Sequence, residues 1–320
     1  MKKKWDVLAF GELLIDFTQN GISNQGNGMF EANPGGAPCN VLAMLNKLGH
    51  TTAFMGKVGN DIFGQLLKHT LEELGIDTCA LELDEEIRTT LAFVANDESG
   101  DRSFSFYRNP GADMMFAPEE VREDIIKNAA VFHFGTLSMT HDLVREATKK
   151  ALKLAKQNDM LVSFDPNLRE SLWTSLELAK EQVAYGLQYC DVLKISDNEI
   201  LWFTEEEDYD KAVQLLQKRY EIPLILLSLG KDGSRAYYKN TRVEEPAFLQ
   251  ESTIDTTGAG DTFMGCCLHF ILEKGLQNLS EADLREMLRF ANAAAAIITT
   301  KRGALKVMPD REEIQKLLEK

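Results

Sequence analysis

The residues with the clearest chemical content are Asp255-Thr256-Thr257-Gly258-Ala259-Gly260-Asp261. The stretch that follows, TFMGCCLHFILEKG, repeats apolar residues at Phe263, Cys266, Cys267, Phe270 and Ile271, the spacing of a helix, and closes on Gly275 as a C-cap. Gly258, Ala259 and Gly260 are therefore expected at a helix N-terminus. There, unpaired amides and the positive dipole end favour an anion, and small side chains let a phosphate approach the backbone. A carboxylate in a first turn also serves as a plain helix cap. Coming directly after three small residues, Asp261 would project beside any bound phosphate. That arrangement suits phosphoryl transfer, in which a carboxylate accepts the proton of the attacking hydroxyl while fixed dipoles neutralise the transferred group. Neither G-x-x-x-x-G-K-[ST] nor a G-x-G-x-x-G after a strand occurs, so two other phosphate signatures are excluded.

Bulk properties narrow the field further. The 320 residues carry 50 acidic against 35 basic side chains, a formal charge of -15. General attraction to nucleic acid or to an anionic membrane is not expected, and a polyanionic ligand must meet local cations and amides. The start MKKKWDVLAFGELLIDF imitates a signal peptide, but Asp6, Gly11 and Glu12 interrupt its apolar run and it reads as a first strand. The longest apolar run near the C-terminus, Ala293 to Ile298, is far shorter than the roughly 20 residues of a membrane span, so a soluble, cytoplasmic chain is expected. Five cysteines without a C-x-x-C pair suggest reduced thiols rather than disulfides or a zinc site. His133, inside AVFHFG, reads as a core histidine and no structural metal is expected.

Positioning such a site falls to alternating strands and helices. VLAFG, TTAFMGKVG, AAVFHFG, MLVSFDPN, DVLKIS and IPLILLSLG are short apolar runs ending in polar or glycine residues, separated by amphipathic stretches such as Gly64 to Leu74, His141 to Ala155 and Asp210 to Tyr220. This is the pattern of an α/β fold with a mostly parallel central sheet flanked by helices, binding ligands beyond the carboxyl ends of its strands. Two stretches break the rhythm. Residues about 12–33 read as one more strand followed by the loop NGISNQGNG, and about 87–112 hold two strands, TTLAFVAN and RSFSFY, joined by a DESG turn. Together they predict a small discontinuous β lid inserted into a single domain spanning 1–320.

DTTGAGD closely resembles the C-terminal signature of the ribokinase-like (PfkB) carbohydrate kinases, and Gly35-Gly36-Ala37-Pro38-Cys39-Asn40 with Gly49 and Gly59 resembles their N-terminal one. GELLIDF, GKVGNDIFG, FYRNPGADM, DPNLRESLW and LKIS look like the fructokinase branch. The resemblance covers essentially the whole chain and implies a ribokinase-like fold and transfer of the γ-phosphate of Mg·ATP to the primary hydroxyl of fructose, with 2-keto-3-deoxygluconate kinase as the alternative. Leu42, Cys266 and Cys267 depart from the family pattern on helices, and Ser196 stands where the N-x-x-E motif has Asn, with Glu199 retained.

Carried over position by position, the resemblance makes Asp261 the base within the anion loop of Gly258, Ala259 and Gly260. It assigns the sugar to Asp16, Gly35, Gly36 and Asn40, and sugar or phosphate contacts to Arg108 and Arg169. Lys194 lies within reach of a phosphate, Ser228, Gly230 and Gly233 resemble a nucleotide-binding turn, and Asn292 opens a small-residue segment suited to adenine. Plain readings stand beside these: a solvated strand end for Asp16, a tight turn for the glycine pair, a surface ion pair for Arg108, a hairpin for Gly230 and Gly233, and close helix packing for Asn292. Glu199 is implied near Mg²⁺ through water, and Asp255 with Thr257 and the loop near Gly303 at a K⁺ site. Exposed sheet edges of a lid leave a homodimer open.

Overall fold

The structure is a computed structural model describing residues 3–96, 102–250 and 252–319. Its strands are β1 (Trp5–Phe10), β2 (Leu14–Ile22), β3 (Gly28–Gly35), β4 (Thr52–Gly59), β5 (Asp77–Asp84), β6 (Leu91–Asn96), β7 (Arg102–Tyr107), β8 (Ala129–Phe134), β9 (Leu161–Phe164), β10 (Val192–Ser196), β11 (Leu224–Ser228), β12 (Ser234–Tyr238) and β13 (Thr241–Glu245). The helices are α1 (Ala37–Lys47), α2 (Ile62–Glu73), α3 (Glu123–Ile126), α4 (Asp142–Gln157), α5 (Leu176–Leu187), α6 (Asp197–Thr204), α7 (Tyr209–Tyr220), α8 (Ala259–Lys274), α9 (Glu281–Ile298) and α10 (Arg311–Leu318).

Among the described residues the large sheet has nine strands in the order β13-β12-β11-β10-β9-β8-β1-β4-β5, parallel except for the β11-β12-β13 edge. Parallel strands covered on both faces must be apolar throughout. Accordingly Val7, Leu8, Ala9 and Phe10 of β1 are completely buried. They alternate between two cores: Val7 and Ala9 join α1, α8 and α9, whereas Leu8 and Phe10 join α4, α5 and α7. The expected α/β architecture is thus observed.

A second sheet, β3-β2-β6-β7, is separate from the first. It is built from the two stretches that break the βα rhythm. Where one strand and a loop are expected over 12–33, the chain forms two antiparallel strands in which Asp16 faces Asn33, because the loop's glycines close a tight hairpin through Ser23 and Asn27. The expected DESG turn lies outside the described residues.

Candidate active site

The glycines of the anion loop begin α8 as expected. Gly258 is its N-cap, in the left-handed conformation with φ 78°, and a Cβ there would stand 2.5 Å from Ala304. A non-glycine residue would be both strained and obstructed at this position. The turn buries Asp261 as the third residue of the helix, where it accepts a hydrogen bond from Asn40 Nδ2 at 2.8 Å. Burial raises the Asp261 pKa above the ordinary carboxylate range, while the Asn40 bond, Lys194 and Arg169 lower it. Asn40 comes from α1, and its Oδ1 is buried without a hydrogen-bond partner among the described residues.

Backbone proximity sets the other wall. Gly36 has φ 131°, and a side chain there would run into the carbonyl of Glu12; a Cβ on Gly35 would stand 2.5 Å from Asp16 Oδ2. Glu12 fastens this turn to α1 by accepting Ala37 N–H at 2.9 Å. Burial pushes the Asp16 carboxyl up to about 7 against the pull of Arg169, with Asp255 and Asp261 adding to the rise. Glu12 is pushed up to about 7, again mainly by burial.

Two cations, Lys194 and Arg169, share a cavity with these carboxylates. Lys194, in the middle of β10, is buried, and its Nζ is 3.0 Å from Asp165 Oδ2. A Cβ on Gly260 would also stand 3.0 Å from that Nζ, so the ammonium lies against the anion loop. Arg169 is exposed, its guanidinium donating to Asn167 Oδ1 at 2.7 Å. Glu199 forms a capping box on α6: Oε2 accepts from Ser196 N and Oγ, and Oε1 accepts from Leu168 N. Ser196 thus makes a bond for which an Asn is not needed. Asp255 accepts from Thr257 N at 2.9 Å and Gly303 N at 3.3 Å. All of these side chains except Asp165 line one cavity of about 510 Å³, with Gly35, Gly36, Asn40 and Asp261 among its walls.

Six of the expected site residues, Arg108, Ser228, Gly230, Gly233, Ala259 and Asn292, do not line this cavity. Arg108 does not line the cavity; it is buried against Asp113 at 2.6 Å and donates to Thr140 Oγ1 and the Leu137 carbonyl. A buried guanidinium needs such partners, and its β7 neighbour Phe106 lines the cavity instead. Ser228, Gly230 and Gly233 belong to the β11-β12 hairpin, in which Leu229 N bonds to Gly233 O at 2.8 Å, and are absent from the cavity wall. Asn292 is spent on structure, accepting from Ser234 Oγ and donating to the carbonyls of Glu245 and Pro246.

Conversely, Glu12, Asn33 and Trp202 line the cavity without having been singled out, and Asp165 pairs with its lysine. Glu12 and Asp165 were signalled only by being acidic at the ends of apolar strands. The expected core histidine appears: His133 is buried, with Ser163 Oγ 2.9 Å from its Nδ1.

Comparison with known proteins places this geometry in context. The pattern described as pfkB family carbohydrate kinase matches residues 4–311. Fructokinase-1 of Zea mays is 40% identical, over 98% of this chain and 98% of its own. The structure of fructokinase with bound ATP from Xylella fastidiosa superposes with a TM-score of 0.89 at 31% identity, covering 98% of both chains. A double mutant of fructokinase from Vibrio cholerae O395, solved with fructose, ADP and potassium ion bound, superposes with a TM-score of 0.87 at 28% identity over 99% of both chains.

Proposed function

This chain belongs to the pfkB family of carbohydrate kinases, and on that premise we propose that it transfers the γ-phosphate of Mg·ATP to the primary hydroxyl of fructose, giving fructose 6-phosphate and ADP. The observation that carries the reading is the meeting of Asp261, the first turn of α8, Lys194, Asp16, Asn40 and the Gly35-Gly36 turn around one cavity. The sugar lies against the glycine backbone, Asp16 accepts from its hydroxyls, and Asn40 Oδ1 accepts a hydrogen bond from a further hydroxyl. Asp261 accepts the proton of the attacking hydroxyl and holds its oxygen in line with phosphorus. The first-turn amides of α8 and Lys194 balance the charge on the moving phosphoryl group.

Both ions fit the residues present. Glu199 has each carboxylate oxygen already bonded, which leaves it able to bind a water of Mg²⁺ but ill suited to direct ligation. The ion would arrive with ATP and supply charge neutralisation at the phosphates. Asp255, Thr257 and Gly303 would hold K⁺ and order the anion loop. The walls around the sugar favour a neutral substrate over 2-keto-3-deoxygluconate, because Glu12, Asp16 and Asp261 are acidic and the lid cation Arg108 is committed to Asp113. A coupled ATP-consumption assay over fructose, ribose, 2-keto-3-deoxygluconate and adenosine tests this. Fructose should show the highest kcat/KM; a tenfold preference for the acid sugar, about 1.4 kcal/mol in transition-state binding, would overturn the assignment.

A further inference from the structure

A second, small chamber of about 10 Å³ is bordered by Glu12, His133, Asp165 and Asp261, and Glu12 and Asp261 also line the main cavity. A space of that size and polarity suits one water. Asp165 is almost wholly buried, and its Oδ2, although ion-paired with Lys194, receives no well-angled hydrogen bond. The chemistry of the site creates a need here: Asp261 gains a proton in every turnover, while sugar phosphate and ADP separate it from solvent on the main-cavity side.

We propose that this chamber is the proton exit of the enzyme, in which one water passes the proton from Asp261 to Glu12. The proposal rests on Asp261 being the base. In the chemical step the fructose O–H bond breaks, its oxygen bonds to phosphorus, and the bond from phosphorus to the departing ADP oxygen breaks, leaving the proton on Asp261. In the relay the Asp261 O–H bond breaks and a Glu12 O–H bond forms. The water accepts one proton and gives up another, and is regenerated. Glu12 also borders the main cavity, through which it returns the proton to solvent after product release.

The groups around Glu12 leave it the receptive member. Asp165, pushed up to about 6 by burial, stays below Glu12 and is ion-paired with Lys194, and His133, held at about 3 by burial and then by Lys194, stays neutral. Asp113 is paired with Arg108, and the Cys39 thiol is pushed far up by burial. Glu12 itself, at about 7, exchanges protons readily near neutrality.

Glu12→Gln keeps an oxygen for the Ala37 amide and removes the proton affinity, and Glu12→Asp retains a carboxylate. Steady-state kinetics in H₂O and D₂O across pH should show kcat rising through about pH 7 in the wild type. In Glu12→Gln we expect that limb to vanish, kcat to fall roughly 5- to 20-fold, the solvent isotope effect on kcat to grow, and both KM values to hold. Glu12→Asp should keep the limb. Unchanged kcat, limb and isotope effect in Glu12→Gln overturn the relay, as does a change confined to KM. Absence of the limb from the wild type overturns it with no variant needed. Asp261→Asn, assayed alongside, separates the readings: if it stays active the base assignment itself fails, whereas an inactive Asp261→Asn beside an unaffected Glu12→Gln removes the relay alone.

Discussion

Asp261 is a weak base toward an alcohol, yet burial raises its proton affinity and Asn40 fixes one of its oxygens. In the proposed reaction it would receive a proton late, as the arriving phosphoryl group acidifies the hydroxyl, and align the nucleophile until then. Asp261→Asn keeps the shape and removes the charge, so kcat should fall by about 10² to 10⁴ with ATP affinity little changed. A folded Asn variant retaining more than about a tenth of wild-type kcat would dismiss the role. Asp16 supplies a separate pH signature. Its pKa of about 7 in the free protein means that it gains its charge, and its full strength as an acceptor, as pH rises through neutrality. The kcat/KM for fructose should therefore climb between about pH 6 and about pH 8, and this climb should survive Glu12→Gln. A flat profile would show that Asp16 does not govern sugar capture.

Two glycine turns and one helix set the spacing between these groups. Gly36→Ala places a methyl against the Glu12 carbonyl at φ 131°. It should destabilise the fold by about 1–3 kcal/mol and raise the KM for fructose more than that for ATP. Equal effects on the two KM values would detach this turn from the sugar. Helix α8 carries Asp261 and is anchored at mid-length, where His269 Nδ1 lies 2.7 Å from His50 Nε2 and Arg311 Nη2 lies 2.8 Å from His269 Nε2. A guanidinium only donates, so His269 Nε2 accepts and its proton sits on Nδ1, facing His50. Burial, then His50 and Arg311, hold the His269 pKa at about 4. The unfolded chain, at the ordinary value of about 6.5, binds more protons between these limits, so His269 costs stability as pH falls from about 6.5 to about 4. Thermal melts should show a smaller acid loss for His269→Gln than for the wild type; equal losses would refute the assignment.

At the scale of the molecule, the cavity lies between two sheets. Thr18, Asn33 and Val94 of the small sheet share it with the carboxyl end of β10 and the first turn of α8 on the large one. Closing the small sheet over bound substrates would exclude water from a reaction that water competes for. Amide hydrogen exchange in β2, β3 and β6 should slow when fructose and a non-hydrolysable ATP analogue are added together, and unchanged exchange would argue against a lid. Replacing K⁺ by a bulky organic cation at matched ionic strength should slow turnover if Asp255, Thr257 and Gly303 order the loop, and equal rates would count against that site. Among the described residues no helix is long and apolar enough to cross a membrane.

The sequence by itself determined what local chemistry determines. Apolar runs such as VLAF and LILLS can be buried on both faces only in a covered sheet, and DTTGAGD can only be a constrained turn entering a helix. The mostly parallel sheet and the turn into α8 were therefore legible. The hairpin strands SRAYY and TRVEE, half charged and at an edge, carry no such pattern, and β5 alternates too weakly to stand out. Only the tertiary structure decided which polar residues share the cavity. Arg108 and Asn292 are the types expected at a site, yet Asp113 and the carbonyls of Glu245 and Pro246 satisfy them, and these partners are brought there by the fold. Glu12 looked like an ordinary strand-end carboxylate. Its burial, and the chamber it shares with Asp261 from 249 positions away in the chain, depend on β1 and α8 packing together. Burial and long-range partners set the proton affinity of a carboxyl group, and neither is encoded in its immediate neighbours.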